Sequence, residues 1–271
     1  MENTKLLEEK ALNIRKAIVE MCHKTNASHI GSALSCVDIL VALYFSAMRI
    51  DPKKPLDKKR DRFILSKGHA ATALYATLAE KGFFQKKLLQ GFHCNGGTLW
   101  GHSTLGCVAG VEASTGSLGH GLSIGVGMAL AAKLDKESSR VFVLLSDGEC
   151  DEGSTWEAAL SAGHLKLDNL VAIIDYNKLQ AFGRTNEVVN LEPLAAKWGA
   201  FGFAVQECDG HDFRQLADAL HAVPLQQGKP SLIIAHTVKG KGVPFMENKL
   251  EWHYKSPNEQ QFKEAMQGMQ K

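Results

Sequence analysis

Val141-Phe-Val-Leu-Leu145 runs straight into Ser146-Asp147-Gly148, and Leu170-Val-Ala-Ile-Ile174 runs straight into Asp175-Tyr176-Asn177. Uninterrupted apolar runs of this kind fit strands buried on both faces at the centre of a parallel sheet. In such a sheet ligands bind outside the carboxyl ends of the strands. Asp147 and Asn177 stand at those two ends, and adjacent strands would bring them side by side. A carboxylate, an amide oxygen and a nearby backbone carbonyl make a hard oxygen site, open enough for Mg²⁺ to keep a bond to phosphate oxygens. Gly148 lets the backbone approach a diphosphate closely, and a helix starting near Gly153 would aim its positive end at the same anion. Taken singly, Asp147 reads as a helix cap and Asn177 as a turn residue. Their pairing at two strand ends favours the metal reading.

Outward from this pair, helices and strands alternate. Leu6 to Lys24 has apolar residues at helical spacing, as do Ser35 to Met48 and Ala70 to Lys81. Arg62 to Ser66 reads as a short strand. Helices are expected over Leu122–Leu134, Gly153–Leu165, Leu191–Phe201, Asp212–Ala222 and Asn258–Met269, with strands at Phe203–Gln206 and Leu232–Ala235. Gly91 to Gly121 is rich in Gly, Thr, Ser and His with little periodicity, and long irregular segments of this kind are often functional. The alternation implies right-handed crossovers and a doubly wound α/β fold with a mainly parallel sheet and helices on both faces. With no internal repeat or linker, a single domain over residues 1–271 is expected.

Composition excludes several classes. The 271 residues carry a net charge of +2, from 31 basic and 29 acidic side chains, so nothing calls for nucleic acid or a membrane surface as partner. The basic run from Lys53 to Arg60 is broken by Pro55 and Asp57 and reads as a solvated loop. None of the six cysteines has the C-x-x-C spacing of a zinc or redox site, so reduced structural thiols are expected. The N-terminus is polar and lacks a signal core, and no apolar run approaches the ~18 residues of a membrane span. A cytoplasmic location is the default expectation.

Ser146-Asp147-Gly148 followed by Asn177 resembles the thiamine diphosphate motif of transketolases. The resemblance covers nearly the whole chain, because Ser28-His29-Ile30-Gly31, Ser66-Lys67-Gly68-His69, Gly101-His102, Thr115 to Gly121 and Asp209-Gly210-His211-Asp212 look like transketolase blocks in the family's order. It implies thiamine diphosphate and Mg²⁺ as cofactors. Asp147 and Asn177 would ligate the metal by side chains and Leu179 by its carbonyl. Gly148 and His69 would face the diphosphate, and Gly116 and Leu118 would offer backbone contacts near the aminopyrimidine. Glu152 matches a glutamate between the two cofactor sites of a dimer, counted with both the cofactor-binding and the catalytic residues. His29, His102 and His253 match the catalytic histidines around the reacting carbons. The implied reaction moves a two-carbon unit from a ketose to an aldose. Imidazoles suit the proton transfers at its hydroxyls, since they titrate near neutral pH.

The chain departs from the pattern at Ser146, where glycine is usual, at Ile30 and Ser103, where proline commonly follows the histidine, and at His120, where glutamine is common. These positions bear on the sugars; pentose and heptulose phosphates are the default and an unusual ketose the alternative. Full transketolases carry further pyrimidine-binding and C-terminal domains, including the glutamate that activates the cofactor's ring. Split members of the family place those on a second subunit. The expectation is therefore an α₂β₂ assembly that acts on sugar phosphates, in which this chain pairs with a pyrimidine-binding subunit. Three alternatives stay open: a subunit of deoxyxylulose-phosphate-synthase-like or 2-oxoacid-dehydrogenase-like type, a non-catalytic scaffold, and a nicotinamide reductase built on Gly119–Gly125. The last lacks a strand leading into its glycines.

Overall fold

The computed structural model describes residues 2–269, with side chains from Thr4 onward. Five strands, β1 (Arg62–Leu65), β2 (Val141–Ser146), β3 (Leu170–Tyr176), β4 (Ala204–Asp209) and β5 (Ser231–His236), form one sheet in the order β1-β2-β3-β5-β4. All pairings are parallel. The two central apolar runs are β2 and β3, and every residue of both is buried.

Residues alternate across the pleat, so each strand feeds two cores. Phe142, Leu144, Val171, Ile173 and Ile233 face one core. It is closed by α1 (Glu2–Thr25), α2 (Ile30–Ser35), α3 (Val37–Ala42), α4 (Ala71–Lys81), α9 (Phe213–His221) and α10 (Glu259–Gly268). Val141, Val143, Leu145, Ala172 and Ile174 face the other. It is closed by α5 (Gly121–Leu134), α6 (Gly153–His164) and α8 (Leu194–Ala200); α7 (Thr185–Val188) is a single turn. Helices therefore cover both faces, as the alternation of elements predicts. Among the described residues no helix is long and apolar enough to cross a membrane.

Local chemistry sets the element ends. Asp212 accepts hydrogen bonds from the Arg214 and Gln215 N–H groups at the start of α9, and Asn258 with Gln261 forms a capping box on α10. Two expectations need correction. The helix expected over Ser35–Met48 is broken at Cys36 and finishes in a wide turn over Leu43–Ala47. The helix expected from Leu191 starts at Leu194, because Pro193 disfavours helical geometry in the residue before it. Helix α6 starts at Gly153 as expected, with a helical turn over Gly148–Asp151 between it and β2.

Candidate active site

Parallel pairing sets Ser146 opposite Asp175, so β2 and β3 end together and present Asp147 and Asn177 at the same sheet edge. There they line a cavity of about 360 Å³ with His29, Lys67, His69, Gly116, Leu118, Gly148, Glu152, Leu179, Lys239 and His253. Ten of the eleven site residues expected from the sequence are thus brought to one cavity. The eleventh, His102, is exposed at its rim, with its ring 5.9 Å from that of His29.

The hard-oxygen group is held by its own backbone. Asp147 is buried; Oδ1 accepts from the Gly148 N–H at 2.8 Å and Oδ2 from the Lys178 N–H at 2.6 Å. Asn177 Oδ1 accepts from the Leu179 N–H at 3.1 Å, and the Leu179 carbonyl accepts from Lys239 Nζ at 2.9 Å. The cap and turn roles open to Asp147 and Asn177 are therefore real, and they pre-orient the same oxygens. Each keeps lone pairs beyond these bonds. Burial, then the charge of Asp175, pushes the Asp147 carboxyl up to about 6. No group of three His, Cys, Asp or Glu side chains among the described residues could hold a metal. A candidate Mg²⁺ site here rests on one carboxylate, one amide and one carbonyl.

Beneath it lies a pair that sequence reasoning missed. Lys67 and Asp175 form a salt bridge with no exposed side-chain surface on either partner. Burial is the largest influence on each and favours the neutral forms. Their mutual attraction and the hydrogen bonds to Asp175 prevail, leaving Lys67 above and Asp175 below its ordinary value. Asp175 also accepts from Ser35 Oγ at 2.6 Å and from the Thr237 hydroxyl, which ties α2 to the segment after β5. A signal was available: a carboxylate ending an apolar strand needs a buried partner. Lys239 was also missed. It follows β5 by three residues in the glycine-punctuated run Lys239-Gly-Lys-Gly242, and burial lowers it to about 8.

The histidines come from four segments. His69 sits in the turn Gly68–Ala70 after β1, and His253 in the turn Leu250–His253. His29 has left-handed backbone, φ 70°, held by its N–H donating to the His253 carbonyl at 2.8 Å. Ring centroids lie 5.1 Å apart for His29–His253 and 5.2 Å for His29–His69. Burial, then neighbouring positive groups, lowers His29 to about 4, His253 to about 3 and His69 well below its ordinary value. All three rings are neutral at pH 7. His102 fits beside Gly116 because that position has no side chain: a Cβ there would lie 2.8 Å from the His102 ring. Glu152 precedes α6 without capping it, and at the cavity wall its carboxylate has no hydrogen-bond partner among the described residues.

One block that carries the resemblance lies elsewhere. His211 Nδ1 pairs with Asp38 Oδ2 at 2.7 Å, its Nε2 accepts from the Val238 N–H at 2.8 Å, and Arg15 Nη2 reaches the same Asp38 oxygen at 2.6 Å. Asp209-Gly-His-Asp212 thus clamps the end of β4 to α1 and α3.

The cavity's contents suit an anionic cofactor with a divalent cation. Two buried ammonium groups, Lys67 and Lys239, balance two buried carboxylates, Asp147 and Asp175, so a metal and a diphosphate can enter without leaving a large uncompensated charge. A parallel α/β sheet with an ionic, histidine-lined cavity at the carboxyl ends of its central strands is a ligand-binding α/β protein of the open-sheet class. The chain belongs to the transketolase family: residues 7–269 match the domain described as "Transketolase, thiamine diphosphate binding domain". It is 47% identical over 260 residues to an apulose-4-phosphate transketolase subunit of Phocaeicola vulgatus, covering 96% of this chain and 92% of that protein. It is 44% identical over 265 residues to the 6-deoxy-6-sulfo-D-fructose transketolase subunit SqwG of a Clostridium species, covering 98% and 96%. The crystal structure of transketolase from Campylobacter jejuni superposes with a TM-score of 0.92 at 32% identity, covering 98% of this chain; the chain spans 43% of that longer protein.

Proposed function

We propose that this chain is a single thiamine diphosphate- and Mg²⁺-binding domain that serves as one half of a two-subunit, cytoplasmic transketolase-like enzyme, transferring a two-carbon ketol unit from a ketose to an aldose. The observation that carries the reading is the meeting of Asp147, Asn177 and the Leu179 carbonyl with three neutral histidines in one cavity. Asp147, Asn177 and Leu179 would hold the metal. Gly148, His69 and Lys239 would receive the diphosphate, with Gly116 and Leu118 beside the aminopyrimidine. When bound, the cofactor supplies the electron sink for carbon–carbon cleavage. The chain's own work is to exclude water and hold sugar hydroxyls, and its neutral imidazoles can accept and return their protons. Glu152, with no hydrogen-bond partner among the described residues, suits a contact between two copies of the cofactor site.

Two relatives named as transketolase subunits match this chain over nearly their whole length, whereas the Campylobacter transketolase extends well beyond it. This supports a separate pyrimidine-binding partner, and we propose that the two subunits pair as an α₂β₂ assembly. The names of the same relatives favour a specialised ketose, apulose- or sulfofructose-like, over pentose-phosphate-pathway sugars. The test is calorimetric binding of thiamine diphosphate with Mg²⁺ to this chain together with its partner. Asp147→Asn should abolish Mg²⁺-dependent binding. Equal binding by the variant would remove the metal site from the proposal.

A further inference from the structure

His253 and His29 are held at Nδ1 by groups of different hydrogen-bonding character. His253 Nδ1 lies 2.9 Å from Lys239 Nζ, which also reaches the Leu179 carbonyl at 2.9 Å and the Gln180 carbonyl at 3.4 Å. An ammonium has three N–H donors and no lone pair. Its three acceptors here match those donors one to one. His253 Nδ1 must therefore accept, and the ring's proton sits on Nε2. His29 Nδ1 lies 2.9 Å from Ser28 Oγ, which makes no other hydrogen bond among the described residues. A hydroxyl rotates and either donates or accepts, so His29 can hold its proton on either nitrogen.

We infer that Lys239 and Ser28 divide the proton work of the site between the two rings. Lys239 fixes His253 as an N–H donor that orients a substrate hydroxyl. Ser28 lets His29 carry the proton. In the working tautomer, Nδ1–H of His29 donates to Ser28 Oγ and Nε2 presents its lone pair. The proton of a sugar hydroxyl moves to Nε2, giving an imidazolium that still donates to Ser28, and the same proton returns from Nε2 to the alkoxide. His253 cannot share this task, because a proton on its Nδ1 would point at the Lys239 ammonium. The rings are 5.1 Å apart and nearly perpendicular, and His29 N–H is bonded to the His253 carbonyl, so one bound hydroxyl can face both. Lys239 and Ser28 are positioning residues in this scheme. Its purpose rests on the ketol-transfer reading; its geometry does not.

The test reads the rings directly, in the full chain without cofactor or sugar. Histidine labelled with ¹⁵N is examined by long-range ¹H–¹⁵N correlation at neutral pH, with His29→Gln and His253→Gln used for assignment. His253 should show one tautomer, protonated at Nε2, and His29 should show Nδ1–H or an exchange average. Ser28→Ala should change only the His29 pattern, and Ser28→Thr should restore it. Lys239→Gln should release His253 to a mixture. A His253 protonated at Nδ1, or a His29 pattern indifferent to Ser28→Ala, would overturn the inference. The wild-type spectrum alone decides His253, so that part stands or falls even if a Lys239 variant does not fold. Failure of the tautomer pattern with cofactor binding intact would sink this inference and leave the proposed function in place.

Discussion

Lys67 and Asp175 are charged side chains with no exposed surface, 108 positions apart, and the site is built over them. Removing one partner leaves the other charge buried and alone, which costs about 3–5 kcal/mol. Lys67→Met should lower unfolding stability by that amount in urea titrations, and Lys67→Met combined with Asp175→Leu should recover part of it. The histidines give a pH prediction of definite sign. Above their ordinary value of 6.5 the rings are neutral whether the chain is folded or unfolded, so they contribute no pH dependence. Between 6.5 and about 4 the unfolded chain takes up protons that folded His29, His69 and His253 resist, so stability falls with acidification. Melting temperature measured from pH 7 to 4.5 should drop, and a His29→Gln/His253→Gln variant should drop less. Asp147 and Asn177 could be read in the sequence because each follows an unbroken apolar run by two or three residues, at the polar end of a buried strand. The partners of Asp175 could not, since Lys67 and Thr237 reach it only through the folded sheet.

At the scale of elements, close backbone approach holds the irregular segment to the sheet. A Cβ at Gly68 would lie 2.5 Å from the Thr115 carbonyl carbon and oxygen, and Thr115 Oγ1 donates to the Leu65 carbonyl at 2.6 Å. Glu149 adds a second tie by accepting from the Ser66 hydroxyl and from the Gly119 N–H. Gly68→Ala must therefore displace Thr115 and Gly116. The expected destabilisation is about 1–3 kcal/mol by overpacking, together with weaker thiamine diphosphate binding in the assembled enzyme. Thermal unfolding and calorimetry check the two parts separately. The central strands were legible because burial on both faces leaves an unbroken apolar run. Strand β4 was read too short, because at the sheet edge its later residues Glu207 and Asp209 are exposed and polar. The irregular stretch carried a functional signal in its glycines and histidines but no periodicity from which its path could be drawn.

At the scale of the molecule, the fold class followed from the alternation of strands and helices, and the family from the order of its blocks. Spacing alone could not separate blocks that line the cavity from the Asp209–Asp212 block, which clamps β4 to the helices through His211 and Asp38. The central claim of the proposed function is that this chain works with a second protein, and the ketol-transfer assay reaches that claim most directly. With thiamine diphosphate and Mg²⁺ present, this chain is assayed alone and then mixed with a candidate pyrimidine-binding transketolase subunit. Xylulose 5-phosphate and the sugars in the relatives' names serve as donors, and ribose 5-phosphate and glyceraldehyde 3-phosphate as acceptors. Transfer is expected only in the mixture, and is lost with Asp147→Asn. Transfer by this chain alone would contradict the dependence on a partner.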